Sequence, residues 1–192
     1  MELNNVFAKF CNPCTLETSK VNTEICKKCG GGCCQAMGCH ISPSDLKDIS
    51  VESIISFINE TGCISIDWWE GNPITNERDG QRVYFLRIKN VKGNVIDPSF
   101  GGACSILTDI GCPLSYEYRP KGARELIPSE GDCHVGYSKQ ECAAEWHQYQ
   151  DVMKQVYDYY FEKGDVVDSP MMFATVFQDL ISTILGIGDA DE

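Results

Sequence analysis

Basic residues are scarce in this chain. Its 192 residues hold 16 Lys and Arg against 28 Asp and Glu, with three His, for a formal charge of −12. Gripping a nucleic-acid backbone needs clustered Lys and Arg. Lying on an anionic membrane surface needs the same. Neither partner is expected. No apolar run approaches the roughly 18–20 residues of a membrane span. The opening stretch MELNNVFAKF lacks a basic segment followed by an apolar one, so no secretory signal is read and a cytoplasmic location is expected. There is no P-loop, no nucleotide-binding glycine fingerprint and no Ser/His/Asp set whose spacing supports a triad. No internal repeat or low-complexity tract is visible. Apolar residues, by contrast, make up 43% of the chain, enough to bury a core despite the charge. The length suits one domain, or a domain with an appendage.

Cysteine is the other abundance. There are twelve, and four of them fall in the stretch CKKCGGGCC, residues 26–34. In a reducing compartment twelve cysteines point to metal ligation before disulfides. Thiolates are soft ligands that select zinc, Cu(I) or iron–sulfur clusters. Cys26 and Cys29 have the chelate spacing that lets two sulfurs reach one centre. Gly30, Gly31 and Gly32 clear side chains from a backbone that must fold around it, and they free N–H groups to face sulfur. Cys33 and Cys34 are adjacent, so their side chains diverge. Either the pair serves two centres, or one is a ligand and the other is buried. Cys11 and Cys14, taken with Cys26 and Cys29, give C-x2-C-x11-C-x2-C, close to a four-cysteine zinc spacing. The competing reading of Cys11 and Cys14 is a thioredoxin-like redox pair, with Val6–Phe10 as a preceding strand. That pair needs a following helix, and TLETSKVNTE is a poor one, so the metal reading is preferred.

Cys39 and His40 close the loop. A lone His beside Ser42-Pro43 is more often exposed or hydrogen-bonded than a ligand. Cys142 and His147 are five apart, roughly 140° around a helix, and do not share an ion easily. Cys142 lies on an apolar stripe, and Cys63 opens a strand where core is favoured.

Local patterns place these residues. Ser42, Pro43 and Asp45 read as a capping box opening a helix over 43–61, with Ser50 as an alternative restart and Gly62 as its stop. Residues 63–69 and 82–88 read as strands, with another near 94–97, and 98–115 as loop. Ser138 and Glu141 form a second capping box. It opens a helix over 139–163 whose apolar stripe is Cys142, Trp146, Tyr149, Met153, Val156 and Tyr160. Ser169-Pro170 opens a last helix to about 185. The expected fold is α+β: a small sheet, a loop-borne cysteine metal site over residues 1–137, and a C-terminal helical hairpin over 138–192. The aromatic helices of that hairpin are the expected protein-partner surface, if they are exposed.

Three segments together, CKKCGGGCC, SPSDLKDI and CSILTDIGCPLSYEYRPKGAREL, resemble the zinc- or iron-chelating CxxCxxCC proteins, the YkgJ-type cysteine cluster family. The resemblance covers roughly residues 24–130. It maps the family's downstream segment onto Cys104, Leu107, Cys112, Tyr116, Arg119, Pro120 and Arg124. It implies Cys26, Cys29, Cys33, Cys34, Cys104 and Cys112 as ligands, holding a [4Fe–4S] cluster or Zn²⁺. This chain departs from the pattern twice. Three residues, not two, separate Cys29 from Cys33, and Ala123 stands where the family places a cysteine. Cys133 or Cys39 can replace that ligand; otherwise the centre keeps an open position. Four thiolates around Zn²⁺ or a [4Fe–4S]²⁺ cube leave a net charge of −2. Arg119 and Arg124 are candidate cofactor-binding cations against it; the alternative is a surface salt bridge, worth about 0–1 kcal/mol. The expected role is structural or electron-transferring, with iron–sulfur preferred to zinc. The alternatives are a purely structural zinc module, or a component of a protein-modifying enzyme, since flagellin lysine methylase carries a related cysteine-cluster region.

Overall fold

The structure is a computed structural model. It describes residues 3–14, 28, 31–98, 102–109, 111–127 and 134–166. Cys26, Cys29, Cys133 and the last expected helix lie outside the described residues.

The fold is α+β around a three-stranded antiparallel sheet of order β1-β3-β2, where β1 is His40–Ile41, β2 is Ile64–Glu70 and β3 is Arg82–Ile88. Residues of β2 and β3 pair in register from Ile64↔Ile88 to Glu70↔Arg82, and β1 pairs through His40↔Arg87 and Ile41↔Leu86. Successive side chains of a strand alternate between faces. One face therefore carries Ile41, Ile64, Ile66, Leu86 and Ile88, all buried. The opposite face carries His40, Ser65, Asp67, Phe85 and Arg87, and these are buried too. The expected strand near 94–97 is reduced to a single parallel bridge of Ile96 beside Ile66, with Val166 bridged to Ile96 beyond it.

The N-terminal stretch is a correction. Val6–Phe10 belongs to a helix, α1 (Leu3–Phe10), and is not a strand. Val6, Phe7 and Phe10 are spaced to share one helical face, and that face is buried, with Phe7 edge-on to Phe57 at 5.4 Å. A short helix, α2 (Gly32–Ala36), interrupts the cysteine loop. The helix expected over 43–61 is broken. Ser42 and Asp45 do form the capping box, but it caps only a 3₁₀ turn, Pro43–Asp45. Beyond it the backbone is committed elsewhere: Asn12 N–H donates to Asp45 O (2.8 Å) and Lys47 N–H to Phe10 O (2.9 Å). Helical bonds are therefore unavailable to these groups. The helix restarts as α3 (Val51–Thr61), capped by Ser50 and ended by Gly62 in the left-handed conformation.

The second capping box holds as expected. Ser138 N–H donates to Glu141 Oε2 (2.7 Å) and Glu141 N–H to Ser138 Oγ (3.2 Å). After α4 (Lys121–Arg124) and the small hairpin of β4 (Leu126–Ile127) and β5 (His134–Val135), it opens α5 (Lys139–Trp146). A 3₁₀ turn, His147–Tyr149, then leads into α6 (Gln150–Glu162). Lys139 meets Asp67 on the polar face of the sheet, whereas Tyr157 stacks on Tyr84 at 4.5 Å on the apolar face. Between them the chain passes the open sheet edge. There Trp146 Nε1 donates to Ile41 O (2.8 Å), and the Gln150 amide bonds both backbone groups of Tyr84 (2.8 and 2.9 Å). One side chain thus satisfies an edge that would otherwise be left unpaired. No helix among the described residues is long and apolar enough to cross a membrane.

Candidate metal centre

Two segments distant in sequence meet at the cysteines. Gly31 is left-handed (φ 75°), and a Cβ there would come within 3.1 Å of Leu107 Cδ1, so the chain turns against the second segment as it enters α2. Cys33 and Cys34 follow on α2, both half-buried. Cys104 N–H donates to Cys34 O at 2.7 Å, which joins the segments directly. Thr108 and Gly111 then exchange backbone bonds (3.1 and 2.9 Å), with Gly111 at φ 102°, a tight turn that precedes Cys112. Cys39 O accepts from Ile88 N–H (2.9 Å), fixing the end of the cysteine loop to β3.

The five thiols are linked in sequence: Cys34 interacts with Cys33, Cys39 and Cys104, and Cys39 and Cys104 with Cys112. Burial, then the charges of Cys104 and Cys112, push the Cys39 thiol well up. Burial also raises Cys104, with Cys112 adding to it. Cys34 donates to the Cys33 sulfur and holds its own proton firmly, a hold strengthened by burial and by Cys33, Cys39 and Cys104. The same hydrogen bond lowers Cys33 to about 6, against the opposing effect of burial. Without a cation, Cys33 is a thiolate at neutral pH. A soft cation has to displace protons from Cys34, Cys39 and Cys104, so its binding is pH-dependent. No disulfide joins any two of the described cysteines. Among the described residues no three His, Cys, Asp or Glu side chains converge closely enough to hold an ion. Cys26 and Cys29 lie outside the described residues.

The other sequence candidates make contacts of their own. Cys11 is buried in the core, bridged to Leu46 and close enough to Cys63 to feel its charge; burial first, then Asp45, raises it to about 12. Cys14 N–H donates to Glu117 O (2.8 Å). Arg119 Nε donates to Leu114 O (3.0 Å), and its guanidinium lies 6.0 Å from the Tyr116 ring. Arg124 pairs with Asp45 at 2.9 Å and donates to Arg119 O, with its charge acting on Cys11. Ala123 sits inside α4, and Gly122 beside it packs on the His40 backbone so tightly that a Cβ would lie 2.7 Å from it.

His40 is buried, edge-on to Phe85 at 5.5 Å, and its Nε2 has no hydrogen-bond partner among the described residues. Adjacent residues of an extended chain point to opposite sides. Accordingly Cys39 feels Cys104 and Cys112, whereas His40 feels Lys139 and Arg87. Burial, then those two cations, lowers His40 to about 4, so it is neutral at pH 7. Cys142 and Cys63 are core residues, as expected.

The sequence reading missed the charged floor beside the cysteines. Arg87 is 1% exposed and pairs with Asp67 (3.2 Å) and Asp97 (3.3 Å); Lys139 pairs with Asp67 at 3.0 Å. Its signal was present. Ser65 and Asp67 alternate with isoleucines in β2, and Arg87 sits opposite Ser65 in β3, so polar positions coincide across the pair. Such alternation normally marks a solvent face, and here it marks a buried one. No protein-family model, curated protein or solved structure matches the chain.

Proposed function

We propose that this chain is a cysteine-cluster metal protein. Cys33, Cys34, Cys39, Cys104 and Cys112, completed by Cys26 and Cys29, hold an iron–sulfur cluster or zinc. The observation that carries this reading is the bond from Cys104 N–H to Cys34 O, which draws thiols about seventy positions apart into one electrostatic group. Burial and neighbouring thiols hold Cys34, Cys39 and Cys104 protonated in the absence of a cation, and a soft cation would exchange those protons for thiolate bonds. An iron–sulfur cluster would supply one-electron chemistry, and zinc a purely structural crosslink. The chain's own part is to present deprotonable sulfurs from α2 and from the 104–112 turn, and to cover them. Iron–sulfur is preferred, because the run of glycines before Cys33 leaves room and N–H groups for a bulky cluster. A reducing, cytoplasmic compartment keeps such thiols available.

Metal analysis with an optical spectrum on anaerobically purified protein tests the reading. Iron with acid-labile sulfide and a broad visible band that bleaches with reductant supports electron transfer. Zinc alone, without colour, removes electron transfer and leaves the structural role, since Zn²⁺ has no redox chemistry. Protein that neither retains nor takes up any of these metals overturns the proposal.

A further inference from the structure

Asn90 lies between the two cysteine segments and beneath both. It is 4% exposed. Its Oδ1 accepts from Gly38 N–H at 3.2 Å, one residue before Cys39. Its backbone faces Cys104 in an antiparallel bridge, flanked by Val91 N–H to Ala103 O and Ser105 N–H to Lys89 O, both 2.8 Å. The same Oδ1 accepts from Arg87 Nη1 at 3.2 Å. Arg87 is in turn immobilised: Nη1 also donates to Ile88 O (3.1 Å), Nη2 to Asp97 O (2.7 Å), and Nε to Asp67 (3.2 Å). Gly38 packs its backbone directly on β3, where a side chain has no room: a Cβ there would lie 1.9 Å from Ile88 O.

From these contacts we infer that Asn90, braced by Arg87, is the positioning residue of the cysteine centre. One amide oxygen and one backbone bridge fix Cys39 and Cys104 in a common frame, and the frame is anchored to the sheet through a guanidinium that cannot swing away. The guanidinium also lies close enough for its charge to act on the Cys104 thiol. A hydrophobic floor would fill the same space but would hold neither segment by a directional bond. Outer-shell partners of this kind orient metal-binding sulfurs and tune them. The consequence for metal rests on the metal-protein reading above; the positioning of the thiols does not.

The test uses the full-length chain, stripped of metal and titrated anaerobically with Co²⁺ while the thiolate-to-cobalt absorption is followed. Asn90→Ala removes the acceptor, Asn90→Ser keeps a polar group of shorter reach should the alanine variant fold poorly, and Asn90→Asp keeps the acceptor oxygen. The expected result is Co²⁺ binding weakened about 10–100-fold in the alanine and serine variants, the size seen for lost outer-shell partners, with most of it recovered in Asn90→Asp. Wild-type affinity and spectrum in Asn90→Ala overturn the inference, as does an equal loss in all three. A second readout separates it from the metal reading: iodoacetamide labelling of the metal-free chain, mapped by peptide mass spectrometry. If wild type takes up no metal, the metal reading fails. The inference still stands if Cys39 and Cys104 label several-fold faster in Asn90→Ala or Asn90→Ser while Cys142 is unchanged, and it falls if their rates match wild type.

Discussion

The chain uses cysteine in two ways. Cys11, Cys63 and Cys142 are spread through the core, 4%, 6% and 0% exposed, each surrounded by apolar side chains or tied to backbone. Cys33, Cys34, Cys39, Cys104 and Cys112 are gathered on two short segments, and all but Cys104 are only partly buried. The first set acts as small hydrophobes, for which the sulfur's reactivity is incidental. The second set is brought together by the backbone bond from Cys104 N–H to Cys34 O between its two segments. Composition alone cannot separate them. Position in the fold does.

The largest expected break in this contrast comes from the charged floor. Arg87→Met leaves Asp67 and Asp97 buried without their guanidinium, which should cost about 3–5 kcal/mol, as removing one partner of a buried pair does. Urea unfolding of the metal-free chain measures it. A cost under about 1 kcal/mol, the value of an exposed pair, would show that water reaches this floor.

Next is the direct comparison of one sulfur from each set. Cys104→Ser should weaken zinc or cobalt retention by more than about 100-fold, beyond the loss of an outer-shell partner. Cys142→Ala should leave metal uptake unchanged and cost about 1 kcal/mol, the value of roughly one buried methylene-sized group. Metal uptake by the two variants, set beside their melting curves, decides the matter. The division of roles fails if both variants lose metal, or if neither does.

Much of this arrangement could be read before the structure, and the failures have physical causes. The strands at 64–70 and 82–88 fall within a residue of expectation, because β-branched and aromatic runs bounded by loop residues have few other uses. The helix from Lys139 was marked by a reciprocal cap and a clean apolar stripe. Val6–Phe10 misled because β-branched and aromatic composition outweighed its helical spacing, over a stretch too short for either signal to dominate. The break at residues 46–50 was invisible, because it depends on bonds from Phe10 and Asn12, which local patterns do not contain. At the site, the sequence named the cysteines but not Arg87 and Asn90. A thiol announces its chemistry by type, whereas an Arg in a strand looks like solvent-facing alternation until both faces of the sheet prove covered.

The last comparison, which sets Cys33 apart from the raised thiols of both sets by sign, is the pH dependence of the metal-free chain. Cys33 is depressed to about 6 from 9.0, chiefly by the hydrogen bond from Cys34. Between those values the unfolded chain holds a proton that the folded one does not, so stability rises with pH, and it is lost again as pH falls through about 6. Cys63 and Cys11 are raised to about 11 and about 12, chiefly by burial. From about 9 upward the folded chain keeps protons that the unfolded one releases, so stability falls as pH rises. The thiol contribution should therefore pass through a maximum near pH 9, with Cys33 setting the acid limb and the raised thiols, Cys11 and Cys63 among them, the alkaline one. Urea midpoints measured under reductant from pH 6 to 10, wild type against Cys33→Ser, isolate the acid limb. The difference between the two proteins should grow from pH 6 to 9 and then level off. A difference that stays flat would mean that Cys34 does not hold its proton toward Cys33, and that the pair is merely adjacent.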